Sequence, residues 1–181
     1  MNDAEIKRGA ALILKGLGVD IHDRNFAKTP DRFLQALKEF FSPPVKQINL
    51  YEEEFNGWVI TRNHLAYTLC PHHLLPVKML VSAVYIPAGN VVGLSKVPRL
   101  FAHINDRPSL QEQLTNDFAE VLMSIRGCQG AAVIIKGQHM CMQARGIRSS
   151  GWVITTSRRG LFADPQLYSC FLSLVRSEDE Q

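Results

Sequence analysis

Two short segments of the chain place cysteine and histidine residues in apolar surroundings. Residues 70–77 read CPHHLLPV, and residues 138–146 read QHMCMQARG. Thiolate and imidazole groups together are typical ligands of Zn²⁺, which binds well to sulfur and nitrogen donors. We therefore interpret the two segments as parts of one metal site that folding brings together.

The candidate metal ligands are Cys70, His73 and Cys141. Three protein ligands leave a fourth coordination position for water, which is typical of a catalytic zinc site rather than a structural one. His72 and His139 stand beside these ligands and could transfer protons. The alternative is a set of core cysteines and hydrogen-bonded histidines without a metal. Spacing alone does not decide, because the C-x₂-H pattern is common and the third ligand is distant.

The composition is that of an ordinary globular protein. The chain has 181 residues, of which 46% are apolar and 20% charged, and its net charge is +3. This charge is too small to indicate nucleic-acid binding. The four cysteines lack a regular disulfide spacing, and we find neither a signal-peptide pattern nor an apolar run of membrane-spanning length. We therefore expect a cytoplasmic protein with reduced thiols that binds neither nucleic acid nor membrane.

An N-terminal arm of two helices is predicted over residues 1–45. Apolar residues recur at helical spacing over 6–17 and again over 33–40. Thr29 and Pro30 are typical of an N-cap and of the first helical position.

The remaining residues, 46–181, are predicted to form one α+β domain of order ββααββ followed by a helix. Strands are predicted at 57–69, 77–86, 91–92, 130–137 and 147–157, and helices at 95–105, 109–126 and 164–177. Ser109 and Glu112 have the spacing of a capping box at the start of the second helix. The two metal-ligand segments fall at the ends of predicted strands.

Four stretches of the chain resemble the signature stretches of GTP cyclohydrolase I. CPHHLLPV resembles the Cys-Glu-His-His stretch of that family, and VVGLSKVPRL, LQEQLT and GQHMCMQARGIR resemble three others in the same order. The match covers most of residues 28–163. The resemblance implies the tunnelling fold, in which ββααββ antiparallel sheets with helices on one face join into a barrel. It also implies a ring-shaped homo-oligomer, typically a decamer of two pentamers, with active sites between subunits.

The resemblance further implies an activity and roles for the metal-ligand segments. GTP is hydrolysed at C8 of guanine, formate leaves, and 7,8-dihydroneopterin triphosphate forms, which is the entry to folate or pterin synthesis. Cys70, His73 and Cys141 would hold Zn²⁺, while His72 and His139 would transfer protons.

The resemblance also assigns the contacts to GTP. Its phosphates would be bound by Ser95, Lys96, Arg99 and Arg145, with Arg32 of the helical arm as a further contact. Arginine suits this role because its planar guanidinium group meets phosphate oxygens in pairs. Gln111 and Glu112 match the pair that reads guanine, whose N1–H and 2-amino group can both donate to a carboxylate. Apart from the resemblance, Ser95 is an ordinary N-cap candidate, and the cations are ordinary surface residues.

Pro71 stands where the family usually has glutamate. Proline removes a carboxylate and a backbone donor, and it favours an extended conformation of Cys70. Two alternatives therefore stay open. One is a divergent paralogue that stalls at a ring-opened product or uses another purine nucleotide. The other is a non-catalytic regulator that binds a purine or pterin, although the intact set of cysteines and histidines argues against it.

Overall fold

The computed structural model describes residues 1–41, 50–51 and 55–176. The chain divides into two compact units, Met1–Ser42 and Pro43–Gln181. The expected boundary between residues 45 and 46 lies outside the described residues.

The smaller unit contains two helices, α1 (Asp3–Gly16) and α2 (Thr29–Phe40). Lys28 occupies the N-cap position of α2 and forms no side-chain capping bond, so the prediction of Thr29 as N-cap is wrong. The reason is a preceding turn, in which Thr29 N–H already donates to the carbonyl of Phe26 at 2.9 Å. Two ion pairs of 2.5 Å join the helices, Lys7–Asp31 and Lys38–Asp3.

The larger unit is built on one antiparallel sheet. Its elements in chain order are β1 (Leu50–Tyr51), β2 (Val59–Leu69), β3 (Pro76–Ile86), β4 (Val91–Val92), α3 (Lys96–Ile104), α4 (Gln111–Met123), β5 (Gly130–His139), α5 (Met140–Gln143), β6 (Val153–Gly160) and α6 (Pro165–Arg176). Strands β2, β3, β5 and β6 pair in that order, while β1 and β4 form a separate two-stranded ribbon. The predicted α+β class with a ββααββ antiparallel sheet is confirmed.

Helices cover the sheet on both of its faces. Val81, Val133 and Ile135 share one core with α3 and α4. Val84, Ala132 and Ile134 share a second core with α6. Because successive residues of a strand point to opposite faces, these two cores lie on opposite sides of the sheet. The expectation of helices on one face therefore describes α3 and α4, whereas α6 packs on the other face.

Strand β6 begins later than predicted, because the chain first makes a turn after α5. Gly146 and Arg148 both have positive φ, 57° and 51°. Ser149 N–H donates to the carbonyl of Met142 at 3.0 Å, which directs the chain back towards α5. The part of the predicted strand before Val153 is consequently turn rather than strand.

The start of α4 is not the predicted capping box. Leu110 occupies the N-cap position and has no side-chain acceptor. Ser109 Oγ instead donates to the carbonyl of Arg107 at 3.0 Å. Glu112 lies in the first helical turn, where the helix dipole favours a negative charge.

The strand register brings the two metal-ligand segments together. Leu69 of β2 pairs with Pro76 of β3, so residues 70–75 form the connection between these strands. Val77 pairs with His139, the last residue of β5, so this connection lies beside α5.

Candidate active site

The connection between β2 and β3 is held by its own backbone. Cys70 N–H donates to the carbonyl of Leu75 at 2.9 Å, and Leu74 N–H donates to the carbonyl of Cys70 at 2.8 Å. Leu74 adopts a left-handed conformation with φ 52°, which closes the turn. These bonds do not need an N–H group at Pro71, so proline is compatible with this backbone.

Cys70, His73 and Cys141 form a cluster that could hold a metal ion. Each contributes one ligand atom, and these atoms all lie within 4.8 Å of one another. The Cys70 thiol is buried and its Sγ lies 3.7 Å from His73 Nδ1, while the short helix α5 supplies Cys141. A thiolate–imidazole set of this kind suits a transition metal rather than calcium or magnesium.

Burial and the neighbouring groups act on the Cys141 thiol in opposite directions. Burial raises the pKa of the Cys141 thiol, and the adjacent Cys70 raises this pKa further. The positive charge of Arg145 lowers the same pKa. A metal ion bound between the two sulfur atoms would favour both thiolates much more strongly than Arg145 does.

The two remaining histidines of the motifs lie beside this cluster. His72 is exposed, and its Nδ1 lies 3.8 Å from Cys70 Sγ. His139 is half-buried at the end of β5, and its Nε2 lies 2.8 Å from Gln111 Oε1. Burial lowers the pKa of His139, and the charge of Glu112 partly opposes that change. His72 therefore lies near the sulfur of one candidate ligand, and His139 precedes another candidate ligand, Cys141, by two residues.

The residues expected at the phosphates lie at the start of α3 and after α5. Ser95 is the N-cap residue of α3, where Lys96 and Arg99 follow, and Arg145 follows α5. Ser95, Arg99 and Arg145 are exposed, and Lys96 is partly exposed. Within the described ranges, none of these three cations forms an ion pair. Arg32 is exposed on α2 of the smaller unit.

The pair expected at guanine divides into an exposed and a buried residue. Glu112 is exposed in the first turn of α4, whereas Gln111 is only 3% exposed. Sequence reasoning missed three residues around Gln111: Thr155 accepts from its Nε2, Thr115 donates to its carbonyl, and Gly137 leaves room for its amide. A threonine and a glycine carry no metal-ligand or titratable group, so the sequence offers no chemical signal for them.

A Cys–His–Cys cluster that could hold a metal ion, with a histidine 3.8 Å from one of its sulfur atoms, lies where strand β2 ends and α5 begins. The chain matches the protein-family profile of GTP cyclohydrolase I over residues 6–176. It is 36% identical over 168 residues to GTP cyclohydrolase 1 of Clostridium perfringens, covering 90% of this chain and 91% of that relative. It is 38% identical over 178 residues to GTP cyclohydrolase 1 of Campylobacter curvus, covering 93% of each. The chain therefore belongs to the GTP cyclohydrolase I family of enzymes.

Among solved structures, this chain is similar to the archaeosine synthase QueF-Like in the apo form. The alignment covers 60% of this chain and 97% of the archaeosine synthase chain. The two share 20% sequence identity, with a TM-score of 0.45. In the described part of the chain, no helix is both long and apolar enough to span a membrane.

Proposed function

We propose that the protein is a zinc-dependent GTP cyclohydrolase I. It would hydrolyse GTP at C8 of guanine, release formate and form 7,8-dihydroneopterin triphosphate, at the entry to folate or pterin synthesis. The observation that carries this proposal is the convergence of Cys70, His73 and Cys141 in a chain of this family.

The donor set supports zinc as the metal. Cysteine sulfur and histidine nitrogen are common zinc ligands, and three such ligands leave a fourth position for water. Cys70 Sγ and His73 Nδ1 are 3.7 Å apart. When bound, the ion would supply the Lewis acidity that lowers the pKa of water towards neutrality.

The side chains around this site have separate tasks in the proposed reaction. His72 and His139 would donate and accept the protons that ring opening and formate release require. Glu112 would accept hydrogen bonds from N1–H and the 2-amino group of guanine. Adenine does not present this pair of donors. The triphosphate would be bound by the exposed phosphate-site residues Ser95, Lys96, Arg99 and Arg145, with Arg32 as a further contact.

Gln111 has a different relation to the substrate from that of Glu112. Its amide is buried and bound within the chain, and its oxygen faces His139. We therefore assign the reading of guanine to Glu112, and we assign to Gln111 a contribution that acts through His139.

A ring-shaped homo-oligomer, with ten subunits in two pentamers, is part of the same proposal. Within the described residues, β2 and β6 are the outer strands of the sheet, and each has one unpaired edge. Exposed apolar side chains stand on these strands, including Leu65 at 48% and Ile154 at 58% exposure. Such edges commonly pair with another chain. Sedimentation analysis tests this assembly, and a monomer at micromolar concentration would contradict it.

The cellular location belongs to the proposal as well. All four cysteines, Cys70, Cys128, Cys141 and Cys170, are unpaired. Free thiols are typical of the reducing cytoplasm, where a nucleotide substrate is also present.

The decisive experiment incubates the purified protein with GTP while formate, oxidised-pterin fluorescence and zinc content are followed. The proposal expects formate and pterin in equal amounts from a zinc-containing protein. Formate without pterin would instead show a paralogue that stalls after ring opening, and release of formate from another purine nucleotide alone would show altered specificity. A protein that contains no metal and releases no formate would be a non-catalytic binding protein.

A further inference from the structure

The orientation of the Gln111 side chain is fixed by hydrogen bonds to the sheet. Its Nε2 lies 3.0 Å from the carbonyl of Ile135, 3.0 Å from the carbonyl of Val153 and 3.1 Å from Thr155 Oγ1. Carbonyl oxygens only accept, so the atom that faces them must be the amide nitrogen. The amide oxygen of Gln111 consequently faces away from these strands.

This amide oxygen determines which nitrogen of His139 carries a proton. Gln111 Oε1 lies 2.8 Å from His139 Nε2. An amide oxygen has no proton to donate, so Nε2 must be the donor. In the neutral imidazole the lone pair then lies on Nδ1, which is the ring nitrogen left for exchange with a substrate.

Two threonines complete the hydrogen-bond network around Gln111. Thr115 Oγ1 donates to the carbonyl of Gln111 at 2.7 Å. This uses the single hydroxyl proton of Thr115, so Thr155 is the donor in the 2.6 Å bond between the two hydroxyl groups. Thr155 Oγ1 still has a lone pair for Gln111 Nε2, whose two protons are shared among three acceptors: the carbonyls of Ile135 and Val153 and the hydroxyl of Thr155.

Gly137 is the residue that makes room for the contact between Gln111 and His139. A Cβ atom at this position would lie 2.9 Å from Gln111 Cδ and 3.2 Å from His139 Nε2, and closer still to Gln111 Oε1. Real Cβ atoms essentially never approach another atom closer than 3.0 Å. A side chain at residue 137 would therefore displace the amide, so glycine is required by this hydrogen bond.

We propose that Gln111 is a positioning residue for His139. It holds the imidazole with Nε2–H bound to the protein and with Nδ1 as the nitrogen that exchanges the catalytic proton. This inference deepens the proposed function and rests on it for the role of His139 in catalysis. The hydrogen bond itself is a property of the protein without substrate and can be measured separately.

The kinetic test replaces Gln111 with methionine, which has a similar length but neither accepts from Nε2 nor donates to the strands. We expect kcat for GTP to fall about ten- to hundredfold, because a misplaced catalytic group can lose this much. KM should change less than about threefold, a change in binding free energy below about 0.7 kcal/mol. Gln166→Met is the matched control, since Gln166 is also a first-turn glutamine but is exposed on α6. A rise in KM with unchanged kcat would overturn the proposal.

The structural test is solid-state NMR of the zinc-loaded, full-length protein with ¹⁵N-labelled histidine and without GTP. The chain has six histidines, and His139→Asn assigns the signal of His139. A free imidazole also favours the Nε2–H form, so the tautomer is measured together with the exchange of that proton with water. We expect an Nε2–H proton that exchanges slowly in the wild type and in Gln166→Met. It should exchange rapidly in Gln111→Met and in Gly137→Ala.

Gly137→Ala keeps Gln111 in the sequence and removes only the room for its amide. If Gln111→Met does not fold, the exchange of the His139 proton is therefore compared between the wild type and Gly137→Ala. A proton on Nδ1 in the wild type, or exchange at Nε2 that is equally fast in all variants, would overturn the proposal. If the wild type releases no formate from GTP, the proposed function fails, whereas the spectrum of His139 still tests the hydrogen bond.

Discussion

Cys70 Sγ lies 3.7 Å from His73 Nδ1, and the loop that separates them is closed by backbone hydrogen bonds. Two of the three candidate ligands therefore come from one short segment whose shape does not need the ion. The third ligand, Cys141, lies on α5, which follows β5, the strand that pairs with β3. Metal binding should consequently depend on Cys141 much more than folding does.

We expect about one Zn²⁺ per chain in the wild type and loss of most of it in Cys141→Ser, because a serine hydroxyl is a poor zinc ligand. The apolar cores lie along the sheet, so the variant should still fold. Metal analysis and thermal unfolding in the presence of a chelator measure the two effects. Without metal, wild type and variant should melt at nearly the same temperature. Cys170→Ser, at an exposed position on α6, is the matched control, and full zinc in Cys141→Ser would remove that residue from the ligand set.

The proton-transfer histidines can be separated from the metal ligands by substitution. His72→Ala and His139→Ala should retain zinc and GTP binding while kcat falls about 10²- to 10⁴-fold, the range for loss of a general acid or base. His72 is the sharper case, since its Nδ1 is only 3.8 Å from Cys70 Sγ. Metal content and kcat are compared with those of His22→Ala, at an exposed position in the smaller unit. A variant that loses zinc identifies its histidine as a ligand instead.

The elements could be predicted from the sequence because they depend on local signals, whereas the convergence of the two segments depends on strand register and was inferred only from the types of their side chains. Apolar periodicity indicated the strands and helices, and cysteine beside histidine indicated a metal. The start of β6 at Val153 could not be predicted in this way. The turn before it depends on a bond between Ser149 and Met142, which are seven residues apart and have no apolar pattern.

The surroundings of Gln111 show the same limit for the site. Its side-chain partners, Thr155 and His139, are distant in the chain, and only strand register brings them beside α4. The sequence around Ser109 also fits a capping box, but the actual cap position falls on Leu110. Local spacing in the sequence indicates which residues could form hydrogen bonds, whereas the tertiary structure determines which of these bonds form.

Glu112 can now be tested as a guanine reader without a capping role. Glu112→Gln keeps the shape of the side chain but leaves one acceptor where the carboxylate has two. Losing one charge-assisted hydrogen bond costs about 1.5–3 kcal/mol, or about a ten- to hundredfold fall in kcat/KM for GTP. The loss of a negative charge in the first turn should cost helix α4 only about 0.3–1 kcal/mol.

The measurement pairs GTP kinetics with a melting curve on the same variant. Glu5→Gln is the matched control, because Glu5 is also in the first turn of a helix, α1. The control should show a similar small change in stability and unchanged kinetics. If Glu112→Gln behaves like this control in both measurements, the assignment of guanine recognition to Glu112 is wrong.

The ribbon that precedes Ser95 is anchored to the sheet by Tyr85. The side chain of Tyr85 is 1% exposed, and its hydroxyl oxygen accepts from Val92 N–H at 2.9 Å. Tyr85→Phe keeps the ring but leaves the buried N–H without this acceptor, which costs about 1–3 kcal/mol. We expect the melting temperature to fall by about 2–4 °C for each kcal/mol lost. Tyr51→Phe, at a side chain that is 52% exposed, should leave it nearly unchanged.

The same tyrosine predicts a dependence of stability on high pH. Burial raises the pKa of the Tyr85 hydroxyl above its ordinary value of 10.0. The folded protein therefore retains a proton that the unfolded chain releases, so this contribution to stability is complete below about pH 10 and is lost as the pH rises through the folded pKa. Because other groups titrate in this range, the difference between wild type and Tyr85→Phe isolates the effect. Urea unfolding at several pH values should show this difference shrinking above about pH 10, and a constant difference would mean that Tyr85 titrates alike in both states.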